Sequence, residues 1–441
     1  MFKNYFLLAL KVLKRKPFYT FISLFGISFT LMILMLLTSL FDATLGDNKP
    51  LGNRDRLVIL TTMERTRTEI DTILSIDTSM VNNLAVYDTT ITFEDDVVST
   101  SNNSMSYKFV DKNLRDLKEV SDYAFFDPGP QVDGYLEGRK FSFDAYYTTA
   151  SYWEVFDFDF IAGSPFNIED EKSANKVVVL TDKAAKEYFG VADASVIDKE
   201  MLLGKEIFRV KGLVKRPLAS SPLFGGDIFM PSMTTDPRSL SSDDMYGGFM
   251  AVFLAPTPEK KKAVQDELKF LSENYQMPPD EFHDAMQLLN ADFFSAYAQG
   301  LLGERDGEKA LKMLFIPIAI LLLLFVALPL LNLINLNIGR VYERKSEIGV
   351  RKAFGANAKD ILLQFIFENL VLTFIGGIIG MLLAVGLISY INANDLLSIA
   401  RLSYSPQVFV YFLLVIIAFG FLSGILPAYR MSRTNVADSL R

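Results

Sequence analysis

The chain's one histidine, His283, has no second histidine or cysteine to share a metal ion, because the sequence contains no cysteine. That removes thiolate nucleophiles, disulfides and cysteine-based zinc sites together. Two acidic runs, Glu94-Asp95-Asp96 and Glu169-Asp170-Glu171, lack the alternating oxygen-ligand spacing of a calcium loop and read as solvated acidic faces. No G-x-S-x-G elbow and no H-E-x-x-H pair occurs. Nor does G-x-x-x-x-G-K-[ST], whose backbone amides and lysine would hold nucleotide phosphates. The expectation is a chain that is not an enzyme, with no metal and no cofactor of its own.

One constellation is regular enough to be a working part: Glu343 to Ala356, ERKSEIGVRKAFGA. Glu343, Glu347 and Arg351 recur every four residues, and a carboxylate one turn before a guanidinium is the favoured orientation of a helical pair. Val350 and Phe354 share that spacing and form an apolar edge. Gly355 falls where a helix ends in a left-handed cap, and Asn357 with Asp360 resembles the start of the next helix. Basic residues marking a cytoplasmic loop would explain Arg344, Lys345, Arg351, Lys352 and Lys359. They would not explain the glutamates, the apolar edge or the capped ends. The pattern predicts a short charged helix coupled by a tight corner to a following one.

The elements that must position this helix are membrane spans. Four stretches are apolar enough to cross a ~30 Å hydrocarbon layer, which takes ~20 helical residues: 18–41, 314–338, 361–391 and 408–426. Residues 1–17 form an amphipathic helix suited to the headgroup layer, with Phe2, Tyr5, Phe6, Ala9, Val12 and Leu13 on one face. Charge sets the topology. Asp42 to Ala310 carries a net −18 and the remainder +10, with the basic excess at 1–16, 339–360 and 429–441. Those three places are the expected cytoplasmic faces. The expected fold is therefore a membrane protein with four transmembrane α-helices, one N-terminal and three C-terminal. A large α+β extracytoplasmic domain lies between spans 1 and 2, and both termini lie inside.

Within the spans, Pro317 and Pro329 favour kinks in the second. The pairs Gly376/Gly380 and Gly420/Gly424 let backbones approach closely and are expected to pack helices, the first pair in assembly of a dimer. No acid or base sits at mid-membrane, Glu368 lying near the inner end of its span, which argues against a proton- or ion-coupled carrier. The outer segment alternates strand-like patches (57–61, 141–147, 176–180, 207–214, 249–254) with helix-like ones (112–119, 182–189, 259–275). Thr257 and Pro258 open the last of these.

ERKSEIGVRKAFGA resembles the signature of the MacB/FtsX type of ABC transporter permease, loosely R-x-x-E-I-G-[IV]-[RK]-[RK]-A-[LF]-G-A. The opening YFLLALKVLKRKPFYTFISLFGI and the ending GILPAYRMSRTNVADSLR resemble the same family. So do VFDFDFIAGSPF, KVVVLTDKAAKEYFG and GKEIFRVKGLVKRPLASSPLFGGDIFMP in the outer segment. Two places depart from it: Val196-Ile197-Asp198-Lys199 stands where an isoleucine-glycine-lysine turn is common, and Arg216 replaces an acidic residue before Pro217. The resemblance implies a MacB-like periplasmic core domain over 42–310, with a core of 45–125 and 246–308 split by a β-rich insert of 126–245. It implies an FtsX-like permease domain over 311–441, with 339–360 as the helix that couples to a cytoplasmic ABC ATPase. Glu343, Arg344, Glu347, Ile348, Gly349, Arg351, Lys352 and Gly355 would make that contact. ATP and magnesium would then bind to the ATPase. Family members with the ATPase on the same polypeptide carry it at the N-terminus, where only sixteen cytoplasmic residues precede the first span, so the ATPase is expected on a separate chain. The further implied partners are a second permease chain, as a homodimer or a paralogous heterodimer, a membrane-fusion adaptor, an outer-membrane channel and lipid, with no nucleic acid. The implied location is the bacterial inner membrane. The implied function is mechanotransmission that drives export or efflux of a small molecule or peptide; the alternatives are lipoprotein extraction and signalling to a cell-wall enzyme.

Overall fold

The computed structural model describes residues 17–81, 84–219, 221–278, 282–343, 350, 358–394, 396–397, 401–402, 411, 414, 418 and 421. The chain divides into two compact units. One takes residues 47–217 and 221–311; the other takes the rest.

The first unit is built on a single mixed sheet of 11 strands. Its path runs β11 (Ala285–Asp292), β1 (Leu57–Val81), β10 (Met250–Leu254), β3 (Asp122–Leu136), β4 (Arg139–Thr148), β9 (Ile228–Pro231), β6 (Val177–Thr181), β8 (Glu206–Val214) and β5 (Phe160–Gly163). Two strands lie off the path: β2 (Leu84–Asn103) pairs with β1, and β7 (Glu200–Leu203) pairs with β3 and β8. Most pairings are antiparallel, while β4–β9 and β6–β8 are parallel.

Two hydrophobic cores form on this sheet. One gathers Val58, Leu60, Met105, Phe109, Phe125, Phe253, Val264 and Leu268. The helices Tyr107–Asn113 and Lys261–Asn274 contribute to it. The other gathers Phe143, Val178, Leu180, Ala184, Tyr188, Val210 and Ile228. Its helix, Asp182–Phe189, occupies the predicted residues because both ends are coded locally. Thr181 accepts from the Ala184 amide at 3.3 Å, and Gly190 closes the helix at φ +77°. The chain's one tryptophan, Trp153, contacts Tyr152, Phe158, Phe160, Phe166 and Phe229 at ring-centroid distances of 5.4–5.5 Å.

Three expectations change. The helix expected over 112–119 spans Tyr107–Asn113, because Ser106 caps it by accepting from the Phe109 amide, and Phe109 and Val110 supply its buried face. The strand expected to stop at Thr61 runs on to Val81 and folds back as β2. The run Glu169-Asp170-Glu171 is no solvated face. Asp170 and Glu171 are buried, because the short helix Ile168–Lys172 turns them inward. Asp170 forms a capping box with Asn167 and ion-pairs with Lys211. Glu171 accepts from the Ala150 amide at 2.6 Å and from Ser232 Oγ at 3.2 Å. The departure at Asp198 also has a structural counterpart. Its φ of +62° is the left-handed conformation in which glycine is at ease and aspartate is tolerated. Arg209 pairs with its carboxylate at 3.2 Å.

In the second unit the long helices are Pro17–Leu45, Gly307–Glu343 and Ala358–Ala393. The middle one starts in the first unit and stays helical through Pro317 and Pro329. Among the described residues, two stretches are long and apolar enough to cross a membrane, Thr20–Leu45 and Ile366–Ala393. Of the expected span 408–426, residues 411, 414, 418 and 421 are described and helical; the others lie outside the described residues.

Candidate functional site

The 14 residues singled out by their charge pattern connect two of these helices: one ends at Glu343 and the next begins at Ala358. Val350 is helical and 47% exposed. Arg344, Glu347, Ile348, Gly349, Arg351, Lys352 and Gly355 lie outside the described residues, as do Gly420 and Gly424.

The other glycine pair is described, and it has a partner in the same chain. A Cβ on Gly380 would lie 2.6 Å from the carbonyl oxygen of Ser28 and 3.2 Å from its Cα. One on Gly376 would lie 2.8 Å from Ile27 Cγ2. The helices Pro17–Leu45 and Ala358–Ala393 therefore touch backbone to backbone, at a distance only glycine permits. Ser28 Oγ donates to the Gly376 carbonyl at 2.9 Å across the seam. Ser23, Ser28 and Thr373 are buried here beside Ile27, Leu31, Leu372 and Ala384. The described contact of Gly376 and Gly380 lies within one chain. Ser28 was missed in the sequence; a serine among Phe, Ile and Leu at mid-span was the available signal. In the same unit the Asn392 side chain holds Leu402 from both sides. It donates to the Leu402 carbonyl at 2.8 Å and accepts from its amide at 3.1 Å.

Two buried carboxylates of the outer unit are tied into its fold. Burial pushes the Glu171 carboxyl up, against the bonds it accepts from Ala150 and Ser232. Burial also pushes Asp170 upward, but Lys211, Asn175 and the Asn167 amide outweigh it and hold that carboxyl below the ordinary range. His283 Nε2 lies 3.1 Å from Ser101 Oγ, which in turn lies 2.8 Å from the Tyr246 hydroxyl. Among the described residues no three His, Cys, Asp or Glu side chains converge as a metal site.

Long apolar helices lie on either side, in sequence, of a strand-rich domain. Residues 20–271 match the MacB-like periplasmic core domain family, and residues 319–436 match the FtsX-like permease C-terminal family. The first match covers more than half of the chain, and the chain belongs to this MacB-type ABC transporter permease family. Both matched regions are permease-type, and the family is one of the inner membrane. Among curated relatives, "Macrolide export ATP-binding/permease protein MacB" of Bdellovibrio bacteriovorus is 28% identical over 288 residues, 64% of this chain and 41% of the relative. "Pyoverdine export ATP-binding/permease protein PvdT" of Pseudomonas savastanoi pv. phaseolicola is 26% identical over 287 residues, 65% of this chain and 41% of the relative. The chain thus spans about two fifths of the length of these relatives. The crystal structure of the periplasmic region of MacB from Actinobacillus actinomycetemcomitans aligns with a TM-score of 0.34 and 15% identity. It covers 46% of this chain and 85% of that one.

Proposed function

We propose that this chain is the membrane subunit of an ATP-driven transporter and relays the closure of a cytoplasmic ABC ATPase to its periplasmic domain. The observation that carries the reading is the place of ERKSEIGVRKAFGA. It lies inside the permease match and connects two long helices, Gly307–Glu343 and Ala358–Ala393. A charged helix held at the membrane surface by spans on both sides can pass on a push. In this reading the chain crosses the membrane four times, with the 343–356 segment in the cytoplasm and the 42–310 segment in the periplasm. Two permease chains work with two ATPase chains, which bind ATP and magnesium. Glu343, Arg344, Glu347, Ile348, Gly349, Arg351 and Lys352 make the ATPase contact, and Gly355 ends the helix.

The use favoured for this machine is export of a small molecule or peptide, in company with a membrane-fusion adaptor and an outer-membrane channel. The names of the relatives, macrolide and pyoverdine export proteins, support it. Arg351→Glu tests the coupling. The variant should reach the membrane at wild-type abundance and lose co-purification with its ATPase. Undiminished co-purification would remove the contact from this helix.

A further inference from the structure

Strands β1 and β2 pair as a long two-stranded ribbon, and Arg305 fastens its base to the helix Gly307–Glu343. Strands β2, β1 and β11 lie side by side, and register sets Asn102 opposite Glu64 and Glu64 opposite Gln287. Residues directly opposite share a face, and successive residues alternate. Met63, Arg65, Met286 and Leu288 therefore turn to the other face, where they are buried, and the three apolar ones join the first hydrophobic core. The row Asn102–Glu64–Gln287 lies on the face away from that core. Asn102 and Gln287 are exposed, whereas the Glu64 side chain is only 13% exposed. Arg305 Nη1 donates to Glu64 Oε2 at 2.8 Å. The Asn102 amide, turned so that both its ends find partners, accepts from Arg305 Nη2 at 3.0 Å and donates to Glu64 Oε2 at 3.0 Å. One planar guanidinium thus holds both strands.

Little slack separates Arg305 from the helix that follows it. Asp306 caps that helix, its Oδ1 accepting from the Glu308 amide at 2.9 Å and the Lys309 amide at 3.1 Å. Glu304 pairs with Lys309 at 2.5 Å. The Arg305 carbonyl accepts from Gln299 Nε2 at 2.5 Å, which fixes the backbone from which the guanidinium reaches out. On the far side of this loop the helix Phe293–Leu302 ends at Gly303, whose φ of +67° is left-handed. Two routes therefore lead from the helix Gly307–Glu343 into the sheet. The backbone route passes Gly303, then the helix Phe293–Leu302, then β11. The side-chain route leaves before Gly303 and reaches β1 and β2 directly. Arg305 is itself 64% exposed, and a pair with one partner in water adds little stability. What a fork across two strands adds is fixed geometry.

We infer that Arg305 is the positioning residue through which movement of the helix Gly307–Glu343 is imposed on the base of the β1–β2 ribbon. The inference rests on the relay described under Proposed function and names the point where that relay enters the sheet. Moved by the helix, a fork on Glu64 and Asn102 carries both strands together. The backbone route yields at Gly303, where a residue without a side chain resists rotation least. Arg305, Glu64 and Asn102 stand outside the residues assigned to the ATPase contact. Breaking the fork therefore uncouples the machine: the ATPase stays bound, and the ribbon base no longer follows the helix.

The absence of cysteine makes the test clean. Nitroxide labels are placed at Thr100→Cys, exposed on β2, and at Met313→Cys, 51% exposed on the second turn of the helix Gly307–Glu343. The full-length labelled chain, diluted with unlabelled chain, is reconstituted with its ATPase. The distance between the two labels is read by pulsed dipolar spectroscopy, without nucleotide and after trapping with ATP, magnesium and vanadate. With Arg305 in place the distance should stay narrow and unchanged on trapping. Arg305→Met and Glu64→Gln should broaden it and make it shift on trapping, while co-purification with the ATPase persists. Arg305→Lys, which keeps the charge and loses the fork, should broaden it as well. Exchanging the pair, Glu64→Arg with Arg305→Glu, should restore the narrow distance, because the Asn102 amide can serve either order by turning over. Lys309→Met, which removes the neighbouring ion pair of the same loop, should leave it narrow. A wild-type distance in both Arg305→Met and Arg305→Lys, with nucleotide trapped, overturns the inference and leaves the relay standing. Equal broadening by Lys309→Met overturns it too, since any loosening of the loop would then suffice. Failure of the unsubstituted chain to bind and stimulate its ATPase overturns the relay, and the role of Arg305 with it.

Discussion

Gly380→Ala adds one methyl group to the helix seam, and the geometry sets its cost. The new Cβ would lie 2.6 Å from the Ser28 carbonyl oxygen, where ordinary contact begins at 3.4 Å. Both sides of the clash are helix backbone, so no side chain can rotate out of the way. The helices must separate by roughly 0.8 Å, and the Ser28–Gly376 bond, now 2.9 Å, lengthens with them. Overpacking of this kind costs about 1–3 kcal/mol, while replacing a mid-helix glycine by alanine returns about 1 kcal/mol. Gly386 lies on the same helix with nothing within 4 Å of its would-be Cβ, so Gly386→Ala gains the propensity without the clash. Comparing the two variants cancels the propensity and leaves the seam: Gly380→Ala should be the less stable by about 1–3 kcal/mol. Thermal unfolding of the detergent-solubilised chain reads the difference. Equal midpoints for the two variants would refute the seam.

Ser28→Ala, which removes the hydroxyl that crosses the seam, should cost about 0.6 kcal/mol in the same assay; no change would mean the bond adds nothing. The Asp170–Lys211 pair predicts a pH dependence. Asp170 titrates below its ordinary value of 3.8 when folded, so its contribution is present above that pH and is lost as pH falls through the depressed folded value. Lys211→Met should destabilise the outer unit by about 2 kcal/mol at neutral pH and flatten its loss of stability on acidification below about 4, followed by Trp153 fluorescence; an unchanged acid limb would count against the pair. For the membrane topology, a reporter active only outside the cytoplasm should work when fused near Ser173 and fail near Asn357, and activity at both sites would refute the four-span reading.

Local coding explains which elements could be read from the sequence. Val177–Thr181 opens on a continuous apolar run, and the helix after it begins and ends on its own capping residues, so both signals are local in sequence. The ribbon was hidden because its pattern is mixed even where its base meets a core, at the buried Met63 and Arg65. Thr62 to Val81 mixes Glu64, Arg65, Arg67, Glu69 and Asp71 with isoleucines, so the alternation carries no obvious strand signal. The acidic run at 169–171 misled for the opposite reason. Carboxylates usually face water, but a capping asparagine and a lysine 41 residues away make burial of Asp170 tolerable. The Gly376/Gly380 pair announced close approach but could not name its neighbour, since glycine specifies a distance and not a partner. In the coupling segment the legible feature was the four-residue repeat of charge, which is local and needs no tertiary contact to be seen.

Coupled ATP hydrolysis by the reconstituted transporter, with the charges of the coupling helix exchanged, tests the central claim most directly. Combining Glu347→Arg with Arg351→Glu keeps the internal pair, which is worth only about 0.3–0.5 kcal/mol on an exposed helix. It also inverts the order of charge presented to the ATPase, and opposing a buried charge contact costs about 2–5 kcal/mol, roughly 30-fold or more in affinity. The account predicts that each single reversal and the double exchange all reach the membrane and all lose stimulated hydrolysis. Recovery of wild-type stimulation by the double exchange would contradict it, because the two residues would then serve only each other.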